Sequence, residues 1–175
     1  EGSQYHLVVN PDVWFGAEVI PALWRLMEEQ EDVALAMPKV LFLNGSVQCL
    51  AKLLPTPVDL FCRFFMPAKL ITRRNHKFEL RHSGYNREMN VPFLSGCFMF
   101  LRVSALKSEG IFDERFFMYM EDVDLTRRLH AKHKTLFYPS VSIYHRFSRL
   151  SYHKWKLSLA HMASVVKYFN KWGWI

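Results

Sequence analysis

No stretch of this chain stays apolar for the roughly 18 residues that a membrane-crossing helix needs. Residues Glu1 to Asp12 lack the cationic start and long apolar core of a secretory leader. Cysteine is scarce: Cys49, Cys62 and Cys97 are widely spaced, odd in number and free of any C-x-x-C pair. That spacing argues against a disulfide framework or a zinc cluster and fits reduced thiols in a cytoplasmic setting. Internal repeats and low-complexity tracts are absent. So are zinc-finger spacing, an RNP-type aromatic strand and a convincing helix-turn-helix pattern, which leaves a nucleic-acid-binding module as a remote reading.

What is present is a globular composition. Half of the 175 residues are hydrophobic and 15% are aromatic, enough for one domain with a proper core. The 23 Lys and Arg outnumber the 16 Asp and Glu, for a net charge of +7. Such an excess attracts polyanions, whether nucleic acid, anionic lipid or a diphosphate. The basic residues concentrate between Arg63 and Arg81 and again between Arg127 and Lys171.

Hydrophobic periodicity predicts alternating strands and helices, hence an α/β fold with a mixed sheet under helical cover. Tyr5 to Val9 reads as a strand that Pro11 terminates, leaving Asp12 at its exit. Ile20, Leu23 and Met27 share one face of a helix spanning about Gly16 to Gln30. Val33 to Val40 reads as strand, and Asn44-Gly45 signals a hairpin turn before a strand from Val47 to Leu53. Pro55 to Val91 reads as a long loop with helical pieces. Pro92 to Val103 follows as a strand with a close-approach glycine at Gly96. Helices are expected from Ser104 to Gly110 and from Glu121 to Lys132, with short strands at Thr135 to Tyr138 and Val141 to Tyr144. In the tail, from Ser151 to Lys171, the residues Trp155, Leu159, Met162, Val166 and Phe169 form an apolar stripe at helical spacing.

The chemistry concentrates in a run from Phe112 to Leu125, which embeds Asp113, Glu114, Glu121, Asp122 and Asp124 among aromatic and aliphatic residues. Acids in such a setting are costly unless they bind a cation, accept hydrogen bonds or move protons. A plain acidic helix start, favoured by the helix dipole and paired with Arg127 or Arg128, is the structural alternative. Asp12, at the carboxyl end of a buried strand, sits where open α/β sheets place ligands, though Asn10-Pro11-Asp12 is also an ordinary turn. His145 ends another strand, as a metal ligand or as a structural hydrogen-bonding group.

These pieces occur in a definite order: Tyr5 to Asp12, Phe93 to Met99 with Ser95 and Gly96, Gly110 to Glu114, Glu121 to Leu125, and Tyr138-Pro139 through His145. Together they resemble glycosyltransferase family 2, in its bacterial rhamnosyltransferase-like branch. The resemblance implies a GT-A fold and a hexosyltransferase-type, inverting transfer from a nucleotide-diphosphate sugar to a polysaccharide or lipid-linked acceptor. By the same resemblance, Asp122 is the catalytic base and Glu121 positions acceptor or loop. Asp12 and His145 hold Mg²⁺ or Mn²⁺, and Asp12, Ser95, Gly96 and Asp124 bind substrate. The metal-binding element reads Asn-Pro-Asp, so Asn10 supplies no second negative ligand.

In the family, the nucleoside-binding half precedes this element. The chain therefore reads as a C-terminal portion: residues 1–150 as a partial GT-A catalytic region, residues 151–175 as an amphipathic helix packed on it or at the membrane surface. Basic and aromatic residues interleave at Phe61, Arg63, Phe64, Phe65, Lys69, Arg73, Arg74 and Lys77. They do so again at Lys154, Trp155, Lys156, Lys167, Tyr168, Lys171, Trp172 and Trp174. Both segments suit peripheral contact with the inner face of the cell membrane. A non-catalytic interaction or membrane-docking protein derived from a transferase is the competing reading.

Overall fold

The computed structural model describes residues 2–67, 69–146 and 155–174. Strand β1 (Tyr5–Val9) leads through the Asn10-Pro11 turn into β2 (Val13–Phe15) and helix α1 (Val19–Glu29). α1 is shorter at its start than the apolar spacing predicts, and it buries Val19, Leu23, Leu26 and Met27 against the sheet. Next comes β3 (Val33–Leu41), buried on both faces over most of its length. The Asn44-Gly45 turn forms as expected: Gly45 takes a φ of 82°, and Asn44 Oδ1 accepts from the Ser46 amide at 3.0 Å. The return strand is a correction. Only a bridge from Leu41 to Val47 pairs with β3, and the short β4 (Ala51–Lys52) pairs elsewhere.

The expected long loop contains α2 (Pro57–Phe65), α3 (Thr72–Phe78), a 3₁₀ turn at Arg81–Ser83 and β5 (Met89–Asn90). α2 begins with Thr56 and Asp59 capping each other's amides and with a proline in the first turn, a start signal legible in the sequence. The strand expected from Pro92 to Val103 is split into β6 (Phe93–Leu94) and β7 (Phe98–Arg102). The break occurs because the Gly96 amide donates to the Asp122 carboxylate rather than to a ladder. Helix α4 (Val103–Glu109) stops at Gly110, whose φ is 84°, and α5 (Glu121–His130) follows. The two short strands expected near the end are one long strand, β8 (Lys134–His145). The register jumps from Pro38↔Tyr138 to Lys39↔Ser142, so β8 absorbs Pro139, Ser140 and Val141 as an irregular bulge. The last helix is α6 (Trp155–Trp172).

Six strands form the main sheet, in the order β1-β7-β3-β8-β2, with β5 also pairing to β8. β3 and β8 run parallel, while β7 is antiparallel to both β1 and β3 and β2 is antiparallel to β8. β1, β3 and β8 therefore point the same way and deliver their ends to one edge. The main core packs α1, α4 and α5 on this sheet through Leu23, Met27, Ala105, Leu125 and Leu129. A second apolar cluster joins Leu60 of α2, Phe78 of α3, Val123 of α5 and Tyr168 and Phe169 of α6. The result is the expected α/β arrangement, a mixed sheet flanked by helices and compatible with a GT-A-like fold.

The tail divides the expected stripe. Leu159, Met162 and Val166 are 55%, 42% and 46% exposed, whereas Phe169 of the same stripe faces inward with Ser164 and Tyr168. Residues 147–154 and the side chain of Trp155 lie outside the described residues, as do the side chains of Phe61, Arg63, Phe64, Phe65 and Lys156.

Candidate functional site

The common direction of β1, β3 and β8 brings sequence-distant groups to one edge of the sheet. Asp12 leaves β1, His145 ends β8, and the antiparallel β7 starts there with Gly96 and Cys97 just before it. The Asn10 amide donates to the Cys97 carbonyl at 3.0 Å, closing the gap between the first strand and the Gly96 turn. The buried Cys97 thiol is pushed up to about 12, mainly by desolvation, and both Asp122 and Asp12 add to the rise. The Asn10–Cys97 contact and the hydrogen bond from the Gly96 amide to Asp122 bring Asp12 and Asp122 into one neighbourhood.

Asp12 and His145 meet directly. The His145 Nε2 atom lies 3.5 Å from Asp12 Oδ1, and the Arg146 amide donates to the Asp12 carbonyl at 3.0 Å. His145 is 7% exposed, and burial holds its imidazole below the ordinary value, against the opposing pull of Asp12. A neutral imidazole and a carboxylate side by side offer one nitrogen and one oxygen donor, a set that suits a borderline divalent cation. Among the described residues no group of three or more His, Cys, Asp or Glu is placed to hold a metal ion. The pair could supply at most two ligands to a cation, the rest of whose shell would have to come from substrate oxygens and water.

Asp122 sits in the first turn of α5. One carboxylate oxygen accepts the Gly96 amide at 2.8 Å, and the other accepts the Val123 amide at 2.8 Å. Desolvation raises its pKa, while the two amides and the charge of Lys52 pull the other way. A Cβ on Gly96 would lie 3.1 Å from the Asp122 Cβ, so the expected close approach at this glycine is real. Thr126 Oγ1 donates to the Asp122 carbonyl at 2.7 Å and lies 3.2 Å from the Leu94 carbonyl, which braces α5 against the end of β6. Ser95 is held there too, its amide donating to the Leu50 carbonyl at 3.3 Å.

Glu121 precedes it with Oε2 buried and, among the described residues, without a hydrogen-bond partner. Burial, reinforced by the neighbouring Asp122 charge, raises its pKa to about 7. The backbone entering α5 is unusual as well: Tyr119 and Met120 have φ of 62° and 66°, in the left-handed region. Each such residue costs of order 1–3 kcal/mol and persists only where its surroundings hold it. Here α6 does so: Ser164 Oγ donates to the Met118 carbonyl at 2.8 Å, and Tyr119 packs on His161 with ring centroids 4.4 Å apart.

Asp124 is fully buried and looks toward α6. It pairs with Arg128 at 2.9 Å and Lys171 at 2.7 Å, and it accepts from Trp172 Nε1 at 2.8 Å. Asp12, His145, Ser95, Gly96, Glu121 and Asp122 thus gather at the sheet edge and the tip of α5, while Asp124 is committed to docking the last helix. Two site residues went unread in the sequence. Gln48 lies buried against His145, and a lone glutamine after a turn carries no pattern that would reveal it. Lys52, whose charge acts on Asp122, stands over the Phe93 and Phe78 rings at 5.5 Å and 5.9 Å.

A mixed sheet flanked by helices, with acids collected where parallel strands end, defines an α/β protein compatible with the GT-A class. In sequence, the chain is similar to the N-acetylglucosaminyl-diphospho-decaprenol L-rhamnosyltransferases of two Mycobacterium tuberculosis strains, CDC 1551 / Oshkosh and ATCC 25618 / H37Rv. Each is 33% identical over 144 residues, a match covering 79% of this chain and 46% of the relative. The chain spans about half the length of the curated relatives it matches. No family model matches the sequence.

Proposed function

We propose that the chain is the catalytic, C-terminal portion of an inverting family 2 glycosyltransferase. It transfers a sugar, with rhamnose the first candidate, from a nucleotide-diphosphate donor to a saccharide or lipid-linked acceptor. The observation that carries the reading is Asp122, a carboxylate with raised pKa clamped by the Gly96 and Val123 amides at the ligand-facing edge of the sheet. The similarity to rhamnosyltransferases supports the choice of sugar and of a lipid-linked acceptor.

In this mechanism Asp122 takes the proton of the acceptor hydroxyl. The freed oxygen pair attacks the anomeric carbon opposite the diphosphate and forms the new glycosidic bond. The old carbon–oxygen bond breaks, its electron pair stays on the diphosphate, and the configuration inverts. Glu121, poised near neutrality, holds the acceptor in register. Ser95 and Gly96 line the donor sugar and acceptor, and Asp124 acts through the placement of α5 rather than by contact. Asp12 and His145 would hold Mg²⁺ or Mn²⁺, which when bound would supply charge stabilisation to the leaving diphosphate.

A lipid-linked acceptor brings the protein to a membrane face. The exposed row Leu159, Met162 and Val166 and the net charge of +7 support peripheral contact with the cytoplasmic leaflet. Among the described residues no helix is long and apolar enough to cross a membrane.

The test is transfer from a nucleotide-diphosphate rhamnose to a diphosphate-linked N-acetylglucosamine lipid. Asp122→Asn should lower turnover by about 10²–10⁴-fold, the ordinary worth of a general base, with the fold retained because an amide oxygen still accepts from Gly96. Full activity in Asp122→Asn removes it as the base.

A further inference from the structure

The segment before α5 is bound along one flank of α6 and runs in the opposite direction to it. Lys171 Nζ donates to Asp113 Oδ2, Lys167 Nζ to the Arg115 carbonyl and Ser164 Oγ to the Met118 carbonyl, each at 2.8 Å. Tyr119 ends the series against the His161 ring. Within this strap Phe116 is buried in the second apolar cluster, its ring centre 5.9 Å from Lys171 Nζ, while Phe117 is 82% exposed. Among the described residues no other large apolar side chain is as open. Leu159, Met162, Ala163 and Val166 fall at i, i+3, i+4 and i+7 and face outward from α6, with no charged residue among them. Apolar groups gathered in this way mark a contact surface, whereas isolated ones need no explanation. Charge selects the partner. α6 contains no Asp or Glu and three lysines, Lys156, Lys167 and Lys171, and with Arg115 these outnumber Asp113 and Glu114 of the strap. A second copy would set this cationic helix against itself, and an anionic lipid surface would not.

We infer that Phe117 and the outer row of α6 form one face that docks on an anionic bilayer. Docking steadies the left-handed turn ahead of Asp122, and the site works fully only at a lipid surface. Tyr119 and Met120, with φ of 62° and 66°, join the strap directly to Glu121 and Asp122. Such backbone persists only where its surroundings hold it, and α6 supplies the Ser164 and His161 contacts on its near side. A bilayer against the outer face restrains α6 and the strap together, because the two are tied at four successive points. The inference rests on the proposed transfer to a lipid-linked acceptor and adds to it the face through which the acidic turn meets the membrane.

Sedimentation with vesicles of phosphatidylglycerol and phosphatidylcholine in equal parts, and with phosphatidylcholine alone, reads docking without reference to catalysis. Phe117→Ser, and separately Leu159→Ser with Val166→Ser, should weaken binding to the mixed vesicles by at least about 10-fold, the effect of keeping a large apolar side chain in water. Leu43→Ser removes a comparably exposed side chain from the turn after β3 and should leave binding unchanged. All of these side chains are exposed, so the fold is retained in each variant. Neutral vesicles should bind the wild type more weakly, and added salt should narrow the difference. By hydrogen exchange, the mixed vesicles should slow the amides from Met118 to Asp122 in the wild type and not in Phe117→Ser. Equal vesicle binding by Phe117→Ser and the wild type overturns the inference, as does an equal loss in Leu43→Ser or docking that leaves those amides unprotected. A vesicle-free wild type that self-associates, with Phe117→Ser monomeric, assigns the face to a protein contact and overturns it too. Transfer to a lipid-free acceptor by a chain that ignores vesicles sinks the lipid face and spares the transferase reading. Vesicle docking by a chain that transfers nothing does the reverse.

Discussion

Glu121 and Asp122 are neighbours in one helical turn, yet the fold treats them differently. Asp122 has two backbone amides on its oxygens, whereas Glu121 has a buried oxygen with no hydrogen-bond partner among the described residues. The sign of the consequence for stability follows from proton counting. An unfolded chain releases the Glu121 proton near pH 4.5, while the folded protein keeps it to about 7. Below the lower value both states are protonated and the group is neutral in its effect. Through the window between them the folded state loses stability, and above pH 7 the loss is complete. Glu121→Gln should therefore stabilise the protein at pH 8 by about 1–2 kcal/mol, discounted for partial solvent screening, and should leave it unchanged at pH 4. Urea midpoints at the two pH values check this. An equal gain at both would mean that the burial of Glu121 carries no ionisation cost.

Among the elements, α6 was the one whose existence was legible and whose orientation was not. Leu159, Met162, Val166 and Phe169 repeat at helical spacing as one apolar stripe, yet Phe169 faces inward while the other three face solvent. The face that docks carries Ser164, Tyr168, Lys171 and Trp172, and polar contacts select it. Asp124 draws Lys171 and Trp172 inward, and Arg127 reaches the Tyr168 hydroxyl at 2.9 Å and stacks 4.1 Å from the Trp172 ring. Apolar periodicity cannot report a face chosen by a buried carboxylate. Asp124→Asn would leave Arg128 without its carboxylate in a dry site, while Lys171 keeps Asp113 at 2.8 Å, and should cost about 2–4 kcal/mol, read from urea unfolding. The loosened α6 should also release Tyr119 and Met120 from the left-handed conformation that precedes the proposed base. Turnover should then fall further than the stability loss alone explains. If Asp124→Asn loses stability but keeps full turnover, α6 has no part in holding the acidic turn.

At the scale of the whole molecule, the site was legible where chemistry breaks a local pattern and illegible where it needs a partner from elsewhere. Asp12 stood out at a strand exit, Gly96 inside an apolar strand, and Asp122 among aromatics. Gln48 and Lys52 carry no such local signal and acquire their roles only when β3, β4 and β8 are assembled. The assembled edge offers Asp12 and His145 as two donors and, among the described residues, no third ligand close enough to complete a metal site. An incomplete shell makes cation and diphosphate interdependent, since each supplies ligands or charge that the other needs. Coupling of this kind is reciprocal: whatever factor the diphosphate adds to Mn²⁺ affinity, Mn²⁺ must add to diphosphate affinity. Calorimetric titration of the chain with thymidine- or uridine-diphosphate sugar, with and without Mn²⁺, should give binding at least about 5-fold tighter with the cation, the lower end of ordinary coupling. Asp12→Ala should erase that difference while leaving the cation-free affinity nearly untouched, because it removes a proposed cation ligand and no hydrogen-bond donor to the diphosphate. Sugar-nucleotide binding that ignores Mn²⁺ in the wild type would separate Asp12 and His145 from the donor altogether, leaving their contact a structural link between β1 and β8.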